Sequence, residues 1–477
     1  MSKEWNQETL DPLDWEEMKT LAKKMAEEMV TYHQNIREYP PLIFPSQSIL
    51  EQLAEPLPVK STDPEIVYEE FKEKILSKHG AFTCHPAWWA TVCGTGTTFG
   101  ALADMWMSGL NGISSLDISL SSHVENQVIS WIKEMLGYPA EASGVLTSGG
   151  SMANLLALIV ARDSKAGYDV KEEGCRGNLV FYGSEELHYC IQKNLESIGV
   201  GRKNLRKINT DSEYRIDLEA LKNQVEQDKD DGLNPACVVG CAGSTNTGSI
   251  DDLDSLAWFC GENDLWFHVD AAFGAWAAIT PNYKHLVRGM ERADSVAVDL
   301  HKWMYMPHGI GVTLVRDQEA HYRSFMEQAD YITHDRSLCD LTLELSKPFR
   351  SLKAWMSIKE HGVEKYGRII EQNILQAKYL GQKVKENPSL ELMAPVYLNV
   401  VCFRYVGEGL DEEALDSVNQ GFRARWFADT PPFLVAGTVL DGKLCLRACF
   451  TNHRTTIEDI DKMLEWVTKT GYELANP

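Results

Sequence analysis

Apolar residues recur at three- and four-residue intervals through 13–37, LDWEEMKTLAKKMAEEMVTYHQNIR, where Leu, Met, Ala, Val and Tyr share one face and charges fill the other. The pattern predicts an amphipathic helix ended by Tyr39-Pro40-Pro41, with a second helical pattern over 64–78. This stretch has too little apolar surface for a core of its own, so 1–79 reads as a helical arm. From about Thr98 to Thr280 helical patterns alternate with short apolar runs. Helices are expected over 124–136, 151–162, 218–227 and 253–263, and strands over 144–147, 178–182, 236–241 and 266–269. Such alternation implies βαβ crossovers and a mainly parallel sheet with helices on both faces, hence an α/β fold with a large domain over 80–350. Beyond Ser351 a long helix, a strand over 398–405, a helix over 412–422, a strand over 443–450 and a helix over 457–468 suggest a βαβ-like small C-terminal domain, 351–477.

Composition narrows the function classes. A formal charge of −23, from 69 acids against 46 bases, repels polyanions, so neither nucleic acid nor an anionic membrane is an expected partner. The first ten residues lack the apolar stretch of a signal peptide and no later run reaches eighteen apolar residues, so a cytoplasmic location is the default expectation. Eleven cysteines without a CxxC pair read as buried free thiols rather than a zinc site or a disulfide framework, and no metal is expected.

Candidate chemistry sits where strands are expected to end, the place where open α/β sheets bind ligands. Phe267-His268-Val269-Asp270-Ala271-Ala272-Phe273 puts a carboxylate at such an end, and Lys302 follows 32 positions after Asp270 within Asp299-Leu300-His301-Lys302-Trp303. Pyridoxal 5'-phosphate needs those two groups, an amine to hold it as a Schiff base and an acid to keep its pyridine nitrogen protonated. Thr147-Ser148-Gly149-Gly150-Ser151 joins a strand to a helix; it suits a phosphate cup, and equally an ordinary N-cap with a tight turn. His188 follows the strand over 178–182 and could stack on a flat ring, and Thr245 lies in a polar turn that could meet a cofactor edge. Each signal alone is weak; five in this order are not.

With His85-Pro86-Ala87-Trp88-Trp89, Leu102-Ala103-Asp104-Met105, Gly243 to Asp251, Ala293-Asp294-Ser295 and Phe349-Arg350-Ser351-Leu352-Lys353, the chain from about residue 80 onward resembles the pyridoxal-phosphate-dependent group II amino-acid decarboxylases, in particular the aromatic L-amino-acid decarboxylases. The resemblance implies the aminotransferase-like type I fold and a homodimer that the helical arm helps to close. It implies decarboxylation of an L-amino acid, an aromatic one by preference, to a primary amine and CO2 through a Lys302 Schiff base and a quinonoid. Lys302, Asp270 and His188 would be catalytic, with Ala272 under the ring, His188 over it, Gly150, Ser151 and His301 on the phosphate and Thr245 beside the ring.

The chain also departs from the family pattern. Asp299 stands where some animal members carry Asn near the phosphate, and an acid there is expected to be protonated or turned away. The segment 327–347 is shorter than the family's mobile loop, and its only tyrosine, Tyr331, falls at the loop's start. Either another group such as His334 protonates the substrate carbon, or the reaction ends in an oxygen-dependent aldehyde synthesis. Residues 88–95 carry no Lys or Arg, which suits an apolar substrate wall with His85, Trp88, Thr91 and Val92 as candidates, although the tryptophans could equally be core. A non-aromatic substrate and a catalytically idle homologue are the remaining alternatives.

Overall fold

The computed structural model describes residues 9–115, 119–327, 336–429 and 432–476, and Met1–Phe82 and Thr83–Pro477 form separate compact units. In the first unit the expected amphipathic helix runs Trp15–Gln34, capped by Asp14, whose carboxylate accepts the N–H groups of Glu16 and Glu17. Lys24 bridges Glu65 and Glu69 of the helix Pro64–Phe71, and Lys72 bridges Glu28 and Glu69, so ion pairs lay the two helices side by side. No residue of Trp15–Gln34 is buried within the chain.

The strands described in the second unit are, in chain order, β1 (Trp88–Trp89), β2 (Ser143–Thr147), β3 (Leu179–Ser184), β4 (Leu205–Ile208), β5 (Asn234–Cys241), β6 (Trp266–Asp270), β7 (Ser295–Asp299), β8 (Gly311–Val315), β9 (Leu390–Leu392), β10 (Val400–Tyr405), β11 (Leu434–Leu440) and β12 (Lys443–Cys449). The larger sheet has the order β2-β8-β7-β6-β5-β3-β4. Its β4, β3, β5, β6 and β7 run parallel, as the alternation predicts, and β8 is inserted antiparallel between β7 and β2. Reversing twice returns β2 to the direction of β7, so the carboxyl ends of β2, β3, β5, β6 and β7 lie along one edge. These strands are buried throughout or nearly so, the signature of a sheet covered on both faces.

The smaller sheet, β1-β11-β12-β10-β9, corrects the βαβ-like expectation: β10, β11 and β12 pair antiparallel and only β1 joins parallel. In this sheet β1, β9 and β11 have no counterpart among the expected strands; the half-exposed run LVAGTVL of β11 hides among polar neighbours. The chain leaves β11 through a tight turn. It turns into β12 at Asp441-Gly442, both at positive φ (49° and 77°), the pairing that two-residue hairpin turns demand. The helix Thr98–Leu110 also lacks a counterpart among the expectations. The long helix Ser351–Glu386 is two helices joined at Gly362, whose φ of 69° breaks the run.

One ion pair fastens the segment after residue 335 to the sheet. Lys347 and Glu125 are both fully buried and in direct contact, and Glu125 Oε1 also accepts the N–H of Leu146 in β2 at 2.9 Å. Removing one partner strands a charge in the core, so Lys347→Ala is expected to cost about 3–5 kcal/mol. A thermal melt checks this: a large fall in midpoint for Lys347→Ala, mostly recovered by joint replacement of Glu125 and Lys347 with Leu. A melt unchanged by Lys347→Ala would remove the pair's assigned role.

Candidate active site

The strand ends bring together what the sequence separates. Asp270 closes β6 and Asp299 closes β7, next to each other in the sheet, with Asp270 in register with Ala297. Asp270 is 6% exposed, and its Oδ1 accepts the N–H of Ala272 at 3.2 Å. The carbonyl of Ala272 accepts the N–H of Asp299 at 2.9 Å, so this half-buried alanine ties the two acidic strand ends.

Lys302 lies on the turn after β7. Its Nζ is 3.1 Å from Asp299 Oδ2 and its side chain is 22% exposed. The turn is held from two sides: Leu300 and His301 donate their N–H groups to Ile310 O, and Gly94 donates to His301 O at 3.0 Å. Gly94 is obligatory there, since a Cβ would stand 2.0 Å from the carbonyl oxygen of Lys302. Burial works to lower the pKa of Lys302, but the carboxylates of Asp299 and Asp270 outweigh it and hold the amine above its ordinary value. That reverses the depressed value expected for a buried lysine, because two acids rather than a cation are its neighbours. The Asp299 carboxylate lies between the lysine and the start of the Gly150 helix, rather than turned away from it.

The helix Gly150–Lys165 starts beneath this pair. Most longer helices here begin at a capping Asp, Ser or Thr, whereas this one begins at Gly149 (φ 153°) with no side-chain cap, leaving its first N–H groups open. A Cβ on Gly149 would meet the His301 ring at 2.8 Å, and one on Gly150 would lie 2.6 Å from Asp299 Oδ2 and 3.3 Å from Ala272 Cβ. Ser151 is exposed at the helix start, and its carbonyl accepts from Asn194. His301 contacts the Ile310 carbonyl through Nδ1 at 2.8 Å, and burial pulls its pKa down.

His188 caps the helix Tyr189–Ser197, with Nδ1 accepting the N–H of Cys190 at 3.3 Å. Its ring is half-buried and its pKa is lowered by burial, with Asp270, Lys302 and Asp299 all near enough to act on it. Thr245, half-buried in the loop after β5, is anchored through its carbonyl to Arg447 at 2.7 Å.

Two groups escaped the sequence reading. His268 is fully buried two residues before Asp270 and shares its strand face. Its Nε2 donates to Asn154 Oδ1 at 2.7 Å, Asn154 Nδ2 donates to Gly150 O at 2.9 Å, and Ser295 Oγ donates to His268 Nδ1 at 2.9 Å. Burial lowers His268 to about 4, so it stays neutral and the chain locks the glycine turn to the sheet. Arg447, 8% exposed, donates to Thr245 O and, at 2.6 Å, to Ala90 O, joining the loops after β5 and β1. An arginine inside the apolar run LCLRACF was the available signal.

The substrate-wall candidates are spread differently. Trp88, 8% exposed, donates its indole N–H to Thr91 Oγ1 at 2.8 Å; Val92 belongs to the main core; His85, 5% exposed, accepts the N–H of Ala87 at 3.1 Å. Trp89 is fully buried in the core of the smaller sheet, donating to Thr455. The segment reaches Lys302 through Cys93 and Gly94 instead. All eleven cysteines are free, and those at 237, 241, 445 and 449 are buried. Among the described residues no cluster suited to a metal occurs and no helix is long and apolar enough to cross a membrane. Tyr331 and His334 lie outside the described residues.

A family model, the pyridoxal-dependent decarboxylase conserved domain, matches residues 51–406. The chain is 30% identical over 478 residues to an aromatic-L-amino-acid decarboxylase of Bacillus atrophaeus, covering 97% of both chains. It is 28% identical to a phenylacetaldehyde synthase of Arabidopsis thaliana, covering 92% of both. A solved structure of Oryza sativa TDC with PLP and tryptamine superposes with a TM-score of 0.90 at 24% identity, covering 98% of this chain and 100% of that one, which establishes the likeness of fold. The chain therefore belongs to the pyridoxal-dependent decarboxylases, enzymes of the carboxy-lyase type that act on amino acids with pyridoxal phosphate as cofactor.

Proposed function

We propose that the site around Lys302 decarboxylates an aromatic L-amino acid to its primary amine and CO2. The observation that carries the reading is the meeting of an amine, an acid at the neighbouring strand end and an uncapped glycine helix start in one place. The uncapped N–H groups at the helix start fit a phosphate, and Asp270 fits the ring nitrogen. In this reading Lys302 holds the cofactor covalently, Gly150, Ser151 and His301 hold its phosphate, Ala272 and His188 face the two sides of its ring, and Thr245 borders it.

When bound, pyridoxal phosphate supplies an electron sink for the pair left at Cα as CO2 departs. The chain's residues do the rest. Asp270, buried at the end of β6, would hold a proton at the ring nitrogen. Lys302 would be placed to move a proton at Cα. His268 and Asn154 keep the glycine turn fixed while charge shifts, so little reorganisation is required.

An aromatic substrate is supported by the absence of Lys and Arg over 88–95 and by the relative from Bacillus atrophaeus. The second reading, an oxygen-dependent aldehyde synthase, is favoured by the lack of a tyrosine other than Tyr331 in 327–347 and by the Arabidopsis relative. Incubating the holoenzyme with each common L-amino acid and analysing products by mass spectrometry separates them. Expected are an arylalkylamine and CO2, with aromatic substrates preferred at least about tenfold, the least that one or two methylene-sized apolar contacts supply. Aldehyde with ammonia and hydrogen peroxide would establish the second reading, and preference for a charged amino acid would overturn the substrate class.

The arm 1–79, large domain 80–350 and small domain 351–477 belong to the same proposal, supported by the two sheets, the smaller of which borrows Trp88–Trp89. So does a homodimer. The helix Trp15–Gln34 leaves Trp15, Met25 and Val30 exposed, an apolar face that a second copy would cover.

A further inference from the structure

The loop after β5 closes on itself through main-chain bonds from Gly243 and Ser244 to Ser249 O and through a knot of hydroxyls from Ser244, Thr247 and Ser249, with Thr245 and Asn246 between the knotted residues. The smaller sheet meets those two residues with one donor from each of three neighbouring strands. Cys402 on β10 is in register with Arg447 on β12, and Arg447 with Ala436 on β11, so Cys402, Arg447 and, two residues past Ala436, Thr438 share one face. Arg447 donates to Thr245 O at 2.7 Å, Cys402 Sγ to Asn246 O at 3.1 Å and Thr438 Oγ1 to Asn246 Oδ1 at 3.0 Å.

Asn246 passes this grip on. Its Nδ2 donates to Glu186 Oε1 at 3.4 Å, in the segment between β3 and the helix that His188 caps. Glu186 is half-buried and its Oε2 is buried without a hydrogen-bond partner. A buried carboxyl is held where donors meet it, and the donors that meet this one come from the loop after β5: Asn246, with Ser244 beside it. A side-chain amide accepts at one end and donates at the other, so a single residue serves the sheet and Glu186 together. β3 and β5 are adjacent, with Gly183 in register with Val239. Beyond that pair the ladder no longer sets how far apart their loops stand, and the Asn246–Glu186 bond spans the gap.

We propose that Asn246 is a positioning residue that sets the spacing of Thr245 and His188 around the cofactor ring, by coupling the smaller sheet to the loop that carries His188. This rests on reading those two residues as the ring's neighbours. Asn246 touches neither cofactor nor substrate in this assignment; it acts through the main chain of Thr245, one residue before it, and through Glu186, two residues before His188. A ring stacked on an imidazole tolerates little play, and a misplacement of about 1 Å can cost on the order of 10^2-fold in rate.

Holoenzyme variants test this through the visible circular dichroism of bound pyridoxal phosphate, which reports how the ring is seated, alongside kcat, thermal melts and borohydride trapping with peptide mass spectrometry. Asn246→Leu and Glu186→Leu should each change the dichroic band and lower kcat about tenfold or more with the adduct still on Lys302, and joint replacement should go no further than the worse single variant, because both break one link. Glu186→Gln keeps an oxygen for Asn246 and should restore band and rate. His188→Ala is the reference: if it leaves band and rate unchanged, or if the wild-type protein shows no adduct on Lys302, the reading of the site falls and the proposal with it. With that reference affected, an Asn246→Leu enzyme that melts earlier yet keeps its band and kcat overturns the proposal alone, as do losses that multiply in the joint variant. Should Asn246→Leu fail to fold, Thr438→Val decides, since it withdraws one donor from the amide; an unchanged band and kcat there overturn the proposal too.

Discussion

Lys302→Ala is expected to reduce turnover by at least about 10^3-fold and to eliminate borohydride-reducible attachment of pyridoxal phosphate. Two losses combine: the amine that holds the cofactor and the group that moves a proton at the substrate carbon. The geometry makes compensation by another lysine implausible. Side-chain direction at 302 is set by a backbone turn clamped between Ile310 and Gly94, and Gly94 admits no side chain. The truncation leaves the backbone of the turn in place, because the hydrogen bonds that clamp it to Ile310 and Gly94 are made by main-chain groups. Lys302→Arg separates charge from chemistry. It preserves a cation beside Asp299 and should keep the fold, yet lacks an amine able to condense, so turnover should fall as far as in the alanine variant. Retention of both activity and the adduct in Lys302→Ala would sink the assignment of this lysine.

How much of this could be read from the chain follows from which contacts are local. The alternation of helical and apolar segments locates β3, β5 and β6, because strands buried on both faces are written as uninterrupted apolar runs such as Leu179-Val180-Phe181-Tyr182. It also locates Asp270, His188 and Thr245 at strand ends, since the end of an apolar run is visible in sequence. The place of β8 is not visible, because pairing β7 and β2 antiparallel through one strand depends on contacts between residues over a hundred and sixty positions apart, such as Thr147 and Gly311. Yet this strand brings Gly311 against Asp299 and closes the cradle.

The site shows the same division. Residue types and order suffice to single out the lysine and the acid as candidates. They do not show that Asp299 turns to Lys302, which depends on the path of the 299–302 turn, nor that His268 reaches across to Asn154, 114 positions away. The substrate segment shows the converse. Two adjacent tryptophans fitted a substrate wall and a core equally; alternation along β1 sends Trp89 into the smaller sheet's core while Trp88 bonds to Thr91, and Gly94 packs against the backbone of Lys302.

Asp270→Ala is the second large effect, a fall in turnover on the order of 10^2- to 10^3-fold, as for loss of one preorganised electrostatic contact. Asp270 is buried, and the bond from Ala272 leaves its second oxygen for a ligand, so a proton placed on the ring nitrogen would be held by an ion pair little screened by water. Without the carboxylate that proton is easily lost and the ring withdraws electrons poorly. A second readout separates this from simple damage to the fold. The Asp270 carboxylate helps to raise Lys302, so in Asp270→Ala the lysine should deprotonate at lower pH. The pH profile of borohydride-trapped cofactor capture should therefore shift toward acid, with Asp299 now the main acid acting on the amine. Asp270→Asn keeps the shape but removes the charge, so it should reproduce both the rate loss and the acid shift. If Asp270→Asn instead turned over at the wild-type rate, shape rather than charge would be what Asp270 contributes, and another group would have to hold the ring's proton.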